Sequence, residues 1–306
     1  MDSWQTNTPM LGRNKMRLIK TCVVVLFSCI LLSCSLVKTA YSNAPELAVW
    51  WLDEYFNLTQ SQKLTLKPAI QNLHNWHRQN QLPIYLTFLR DMQTSLESEQ
   101  FSASDTCEKI EAIKSSLHTL QIESIPIIIE IAPLLSEKQL NYFQQKLLKR
   151  AEKLKKQWLQ DTPKEQLKVR LEKAQDFAEK IYGDLSEAQL ALLKQNLAQI
   201  IINPAISYKE IQRRNDDAFN ILSALQNPSL NPNEKSIDEK SQLVIAGFDR
   251  IQKSPNPIYQ HYADEQTKHT CETIANLHAT TNAKQKLHAK NWLGDYIVQL
   301  TALLAK

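Results

Sequence analysis

The densest set of chemistry-bearing residues in this 306-residue chain is HNWHRQNQLPIY, residues 74–85, where His74, Trp76, His77 and Arg78 stand ahead of Leu82 and Pro83. His74 and His77 are one helical turn apart, a spacing at which two imidazoles can share a metal, but no third ligand follows nearby. Trp and Arg are the residue types that concentrate binding energy at interfaces, so Trp76, His77 and Arg78 are candidate contacts for a partner. The structural alternative is that His77 continues the apolar stripe of Leu66, Ile70 and Leu73, while His77 and Arg78 meet the exposed carbonyls of a helix C-terminus. A second set, His261, Glu265 and His269, recurs at steps of four and offers two imidazoles and a carboxylate. An HExxH zinc site places its Glu beside the first His, and this stretch does not; a solvated charged face accounts for it. Cys107 and Cys271 have no His or Asn context suited to a nucleophile. The expectation is a non-enzyme with no catalytic residue, no metal and no cofactor.

The N-terminal stretch RNKMRLIKTCVVVLFSCILLSCS carries Arg13, Lys15, Arg17 and Lys20 ahead of an apolar run from Val23 to Leu32. That is the layout of a secretory signal, and the run is short for a membrane span. It ends in Leu31, Leu32, Ser33 and Cys34, which resembles the bacterial lipobox: cleavage after residue 33 and lipid on the Cys34 thiol. Ser35, where an Asp would mark inner-membrane retention, implies delivery to the outer membrane on its periplasmic face. Removing residues 1–33 takes away four basic residues and Asp2, leaving 32 Lys and Arg against 31 Asp and Glu. The basicity of the whole chain thus sits mostly in its signal, and no nucleic-acid partner is expected. Gly183, Gly247 and Gly294 are the glycines left, too few for a GxGxxG turn, a phosphate loop or a GxSxG elbow. In an oxidising compartment Cys107 and Cys271 are expected to pair.

The elements that would position these residues are helices. Leu140, Phe143, Leu147, Ala151, Leu154 and Trp158 form one stripe at helical spacing, as do Leu167, Leu171, Ala174, Ala178 and Ile181, and then Ile211, Asn215, Ala218, Leu222 and Leu225. The basic run KRAEKLKKQ, residues 149–157, lies between residues of the first stripe and reads as a solvated face, with an anionic-lipid site as the alternative. SIPIIIEIAPLL, residues 124–135, reads as a buried helix interrupted by Pro126 and Pro133. LTQSQ (58–62), LSEKQ (135–139) and LSEAQ (185–189) each sit where a stripe begins. Ser136 with Gln139, and Ser186 with Gln189, have the spacing of a capping box, with Leu135–Leu140 and Leu185–Leu190 as hydrophobic staples. Related boxes are expected at Thr162–Glu165, Ser207–Glu210, Ser236–Glu239 and Asn282–Gln285, and Gly183 suits a helix end in the left-handed region. NPSLNPNEKS, residues 227–236, reads as a linker. The organisation expected is therefore a signal over 1–33, a tether over 34–43, an N-terminal helical body over 44–226, the linker, and C-terminal helices over 237–306. The fold class expected is all-α, an extended multi-helix bundle of antiparallel helices.

The three L[ST]xxQ pentapeptides are similar to the LTxxQ motif of the Spy-type periplasmic chaperones, helical cradles that hold unfolded clients without ATP. A broader resemblance, over most of the mature chain, is to an uncharacterised Gram-negative lipoprotein family classed as a domain of unknown function. It is carried by Leu58 to Gln62, HNWHRQNQLPIY, LSEKQ, and GDLSEAQ followed by the helix bearing Arg213 and Arg214. These resemblances imply lipidation and a helical body, and supply no catalytic residues. The function expected is a non-catalytic protein-interaction or chaperone-like module, held to the membrane by its N-terminal lipid and binding an envelope protein or unfolded client. The alternative is an envelope hydrolase or metal-dependent enzyme whose site is assembled from distant residues.

Overall fold

The computed structural model describes residues 37–98, 101–159, 162–226 and 236–305. Among them there is no strand, and the chain is an all-α multi-helix bundle. The helices are α1 Ala44–Phe56, α2 Gln60–Trp76, α3 Leu82–Glu97, α4 Ala103–Glu123, α5 Ile125–Ile131, α6 Glu137–Leu159, α7 Pro163–Tyr182, α8 Glu187–Gln199, α9 Pro204–Gln226, α10 Ile237–Gln252, α11 Pro257–Ala279 and α12 Ala283–Leu304. Cys34, the signal and residues 227–235 of the expected linker lie outside the described residues. Residues 37–42, within the expected tether, are helical.

Pro45–Lys306 form one compact unit, so the C-terminal helices are not set apart from the rest. Instead α12 packs along α3 and α7, α11 along α4 and α8, and α10 against α4, α5 and α9. The reason is apolar surface on both sides of the expected boundary. Leu277, Ala289 and Leu293 from the C-terminal helices share one buried cluster with Leu96, Phe101, Ala178 and Tyr182. A second cluster joins Val49, Leu58, Leu66, Ile70, Leu135 and Leu140 from α1, α2 and the entry to α6, and a third joins Ile125, Ala132, Leu225 and Val244. Gly247 permits a close approach of α10 to α9, since a Cβ there would lie 2.4 Å from Cδ1 of Ile221. Residues Ala103–Leu134 are long and apolar enough by composition to cross a bilayer, but they are broken at Ser124 and pack on α10 and α11.

The recurring pentapeptides do more than cap. The Gln62 side-chain oxygen accepts the backbone N–H of Thr59 at 2.8 Å, and that of Gln139 accepts Ser136 N–H at 3.0 Å, closing a capping box on α2 and on α6. The two buried amides then pair with each other: Gln62 Nε2 donates to Gln139 Oε1 at 3.1 Å and Gln139 Nε2 donates to Gln62 Oε1 at 2.8 Å. The second proton of each amide goes to the carbonyl two residues before the other's cap, Leu134 for Gln62 and Asn57 for Gln139. Gln189 and Gln285 repeat the arrangement at the N-termini of α8 and α12, at 3.0 and 2.9 Å, with Thr280 and Asp184 as the carbonyl partners. Every donor and acceptor position of four buried amides is thereby used, and two pairs of helix N-termini are pinned head to head.

Gln139→Ala strips its partner Gln62 of a donor and an acceptor, opens a cap and leaves the Asn57 carbonyl without its amide. The expected loss is about 2–3 kcal/mol by urea unfolding. Gln62→Ala/Gln139→Ala together should cost clearly less than the sum of the two single changes, because both break one shared unit. Strictly additive costs would contradict the pairing.

Candidate interaction site

Trp76 ends α2, and His77–Gln81 form one π turn before α3 begins, with Leu82 N–H donating to the His77 carbonyl. Pro83 explains the turn. Its ring has no N–H and collides with the carbonyl four residues back in a regular helix, and widening the turn by one residue lets the rod continue. The expected helix C-terminus at Arg78 is therefore absent; α2, the π turn and α3 follow one another without a loop. The buried stripe of α2 is Gln62, Leu66, Ile70 and His74, at uniform steps of four, so His74 occupies the inward position expected of His77. Trp76, His77 and Arg78 are all half-buried. The His77 ring stands edge-on to Tyr85 at 5.5 Å between centroids. Burial, reinforced by the nearby His74, pushes the His77 imidazole below its ordinary range. The last helix, α12, packs along α3 and reaches the π turn. The sequence-chosen residues are thus gathered at an irregular turn in a long rod, not at a helix end.

The other candidates resolve into structural pairings. His269 Nδ1 lies 3.1 Å from Glu272, closer than the 4.0 Å between its Nε2 and Glu265, and His261 is exposed. Among the described residues no group of three or more His, Cys, Asp and Glu side chains is placed to hold a metal. Cys107 of α4 and Cys271 of α11 are joined by a disulfide, with their Cα atoms 5.3 Å apart. His278 is 1 % exposed; its Nδ1 lies 3.1 Å from the Tyr182 hydroxyl and its Nε2 lies 3.2 Å from the Ser98 carbonyl. The neutral imidazole fits both, donating from Nε2 and accepting at Nδ1, and burial lowers its pKa while pushing the Tyr182 phenol up to about 12.

One buried charged group was missed. Ser207–Glu210 is not a capping box: Asn203 caps α9 instead, with its Oδ1 accepting from Ala205 and Ile206, and Pro204 stands at the first helical position. Glu210, 2 % exposed, lies inside the helix and accepts from Arg213 at 2.8 and 3.0 Å, Arg214 at 2.8 Å and the Ser254 hydroxyl at 2.9 Å. Those arginines also donate to the Arg250 and Ile251 carbonyls at the end of α10, and Asp217 binds Arg250 at 2.6 and 2.8 Å. Two charged turns of α9 thus close the C-terminus of α10. Glu210 stands three residues before Arg213 and Asp217 four after it, but Arg250 and Ser254 come from far along the chain, so spacing alone does not reveal the set.

A family model described as "Family of unknown function (DUF6279)" matches residues 54–242. The chain belongs to that family. No curated protein and no solved structure matches it. The DUF6279 match takes in the Gln62–Gln139 pair, the π turn and the carboxylates and arginines of α9. Gln285 and Cys271, the partners of Gln189 and Cys107, lie beyond its end.

A further surface, on α1, was passed over in the sequence. Pro45, Val49, Leu52 and Phe56 step by 4, 3 and 4 and set its inner stripe, with Val49 and Pro45 buried. Leu47, Trp50 and Trp51 fall outside that stripe and are 51 %, 66 % and 50 % exposed. Two adjacent tryptophans beside a complete inner stripe were the legible signal.

Proposed function

We propose that this protein is a lipoprotein of the cell envelope, acylated on Cys34 and held at the periplasmic face of the outer membrane, which binds another protein without catalysing a reaction. The partner class is an envelope protein or an unfolded client. The observation that carries the reading is the surface around the π turn: half-buried Trp76 and Arg78 lie on one rod with Ile84, which is 52 % exposed. A π turn is an irregularity that often accompanies function, and Trp with Arg is an interface pairing. The buried titratable side chains Glu210 and His278 support it from the other side, because their hydrogen bonds are committed to other elements of the fold.

Arg78→Ala separates contact from packing. It is expected to leave the melting curve nearly unchanged while reducing envelope crosslinks, or suppression of client aggregation, severalfold. Trp76→Ala is expected to cost about 1–4 kcal/mol of stability as well. An Arg78→Ala protein that melts like the wild type and captures every wild-type partner undiminished would remove the contact role.

A further inference from the structure

We propose that the outward face of α1, together with the basic row of α6, is a second membrane contact that lies on an anionic phospholipid surface. The inference rests on the reading of Cys34 as the acylated residue. Leu47, Trp50 and Trp51 present one exposed apolar face at steps of three and one. Trp51 leans on Tyr55, ring centroids 4.6 Å apart, and the Tyr55 hydroxyl accepts from Arg150 of α6 at 3.1 Å. Phe56 stacks on Phe143 at 4.6 Å and Lys146 pairs with Glu54, so α1 is clamped along α6. The exposed lysines 149, 153 and 156 continue the basic surface from that clamp.

Charge and residue type favour lipid over protein. Three carboxylates close to this face pair with lysine, Asp53 with Lys63 at 2.7 Å, Glu54 with Lys146 and Glu152 with Lys155 at 3.7 Å, and the exposed Glu46 lines a cleft with Lys67. Beyond those pairs, the tryptophans of α1 and lysines 149, 153 and 156 of α6 stand outward. Trp seeks the headgroup level of a bilayer, where its ring is apolar and its N–H wet. Lysine is depleted in protein interfaces, whereas rows of exposed lysine are what anionic leaflets attract. Position agrees: Leu47 follows Cys34 by thirteen residues, so chain length alone keeps it within about 45 Å of the acylated thiol. A lipid chain and an aromatic-basic face are the two signals that stable anchoring requires.

The test uses the full-length lipoprotein reconstituted into phosphatidylethanolamine–phosphatidylglycerol vesicles, some with acyl chains brominated near the headgroup. Wild-type tryptophan emission is expected to be quenched, and Trp50→Phe/Trp51→Phe to lose most of that quenching with an unchanged melting curve. Lys149→Gln and Lys153→Gln should each weaken binding to phosphatidylglycerol about fivefold, an effect that salt removes. A photo-crosslinker at Leu47 should yield phospholipid adducts. Equal quenching of the wild type and the double variant, or protein adducts alone from position 47, would overturn the proposal. Mass analysis of the same sample keeps the two readings apart. Acylated protein with unquenched Trp50 and Trp51 defeats the contact and leaves the anchor, and unacylated protein with quenched tryptophans defeats the anchor and leaves the contact.

Discussion

Reducing the disulfide between Cys107 and Cys271 is expected to lower the stability of the protein by about 4–5 kcal/mol. The bridge closes a loop of 164 residues, and on the chain-entropy model a loop of that length restricts the unfolded ensemble strongly. It also ties α4 to α11, which otherwise meet through side-chain packing. Cys107→Ser/Cys271→Ser should shift the urea midpoint by the same amount as reductant does on the wild type, and reductant should then have no further effect. Two freely alkylated thiols in the exported protein, or an unfolding midpoint indifferent to reductant, would contradict the bridge.

Removing the buried carboxylate of Glu210 is the second large effect. Glu210→Ala leaves Arg213 and Arg214 facing each other without their shared anion and frees the Ser254 hydroxyl, at an expected cost of about 3–4 kcal/mol at pH 7. Burial pushes the Glu210 carboxyl up, and hydrogen bonds from Arg213, Arg214 and Ser254 outweigh it, holding the pKa below the usual carboxylate range. A carboxyl depressed in the folded state contributes stability that is fully present above its unfolded value, near 4.5, and disappears as pH falls through its folded value. Asp217, held low by Arg250, acts in the same direction. The wild type should therefore lose stability steeply below about pH 4.5. Glu210→Gln should start lower at pH 7 and fall less over the same window. A Glu210→Ala protein within 1 kcal/mol of the wild type at pH 7 would show that the knot contributes little.

Local patterns carried most of the fold. The stripe beginning at Leu140 lies on α6 with Leu140, Phe143 and Ala151 buried, and the C-terminal helices expected over 237–306 appear at Ile237–Gln252, Pro257–Ala279 and Ala283–Leu304. Capping boxes are readable because donor and acceptor lie three residues apart. The pairing of Gln62 with Gln139 and of Gln189 with Gln285 spans 77 and 96 residues, and nothing in a pentapeptide encodes it. Gly183 takes φ 76° as its place after α7 suggests, although its ψ of −161° is extended. Ser207–Glu210 misled because Asn203–Pro204 is a stronger start signal four residues earlier. The break expected at His77–Arg78 is a π turn because Pro83 can be absorbed by widening one turn as well as by ending a helix. The candidate site was legible as residue types and illegible as shape. Trp76, His77 and Arg78 were visible in the chain, whereas the packing of α12 against the π turn that holds His77 and Arg78 joins segments more than 200 residues apart.

Anchoring through Cys34 and action by binding are proposed together, and one experiment bears on both. Chemical crosslinking in intact envelopes, followed by capture of the wild-type chain and of Cys34→Ser, tests them most directly. The wild type is expected to fractionate with the outer membrane and to carry specific envelope-protein adducts, and Cys34→Ser to leave that fraction and lose them. Unchanged fractionation of a signal-cleaved Cys34→Ser chain, or a wild-type chain that yields no protein adduct under conditions that crosslink its neighbours, would contradict the proposal.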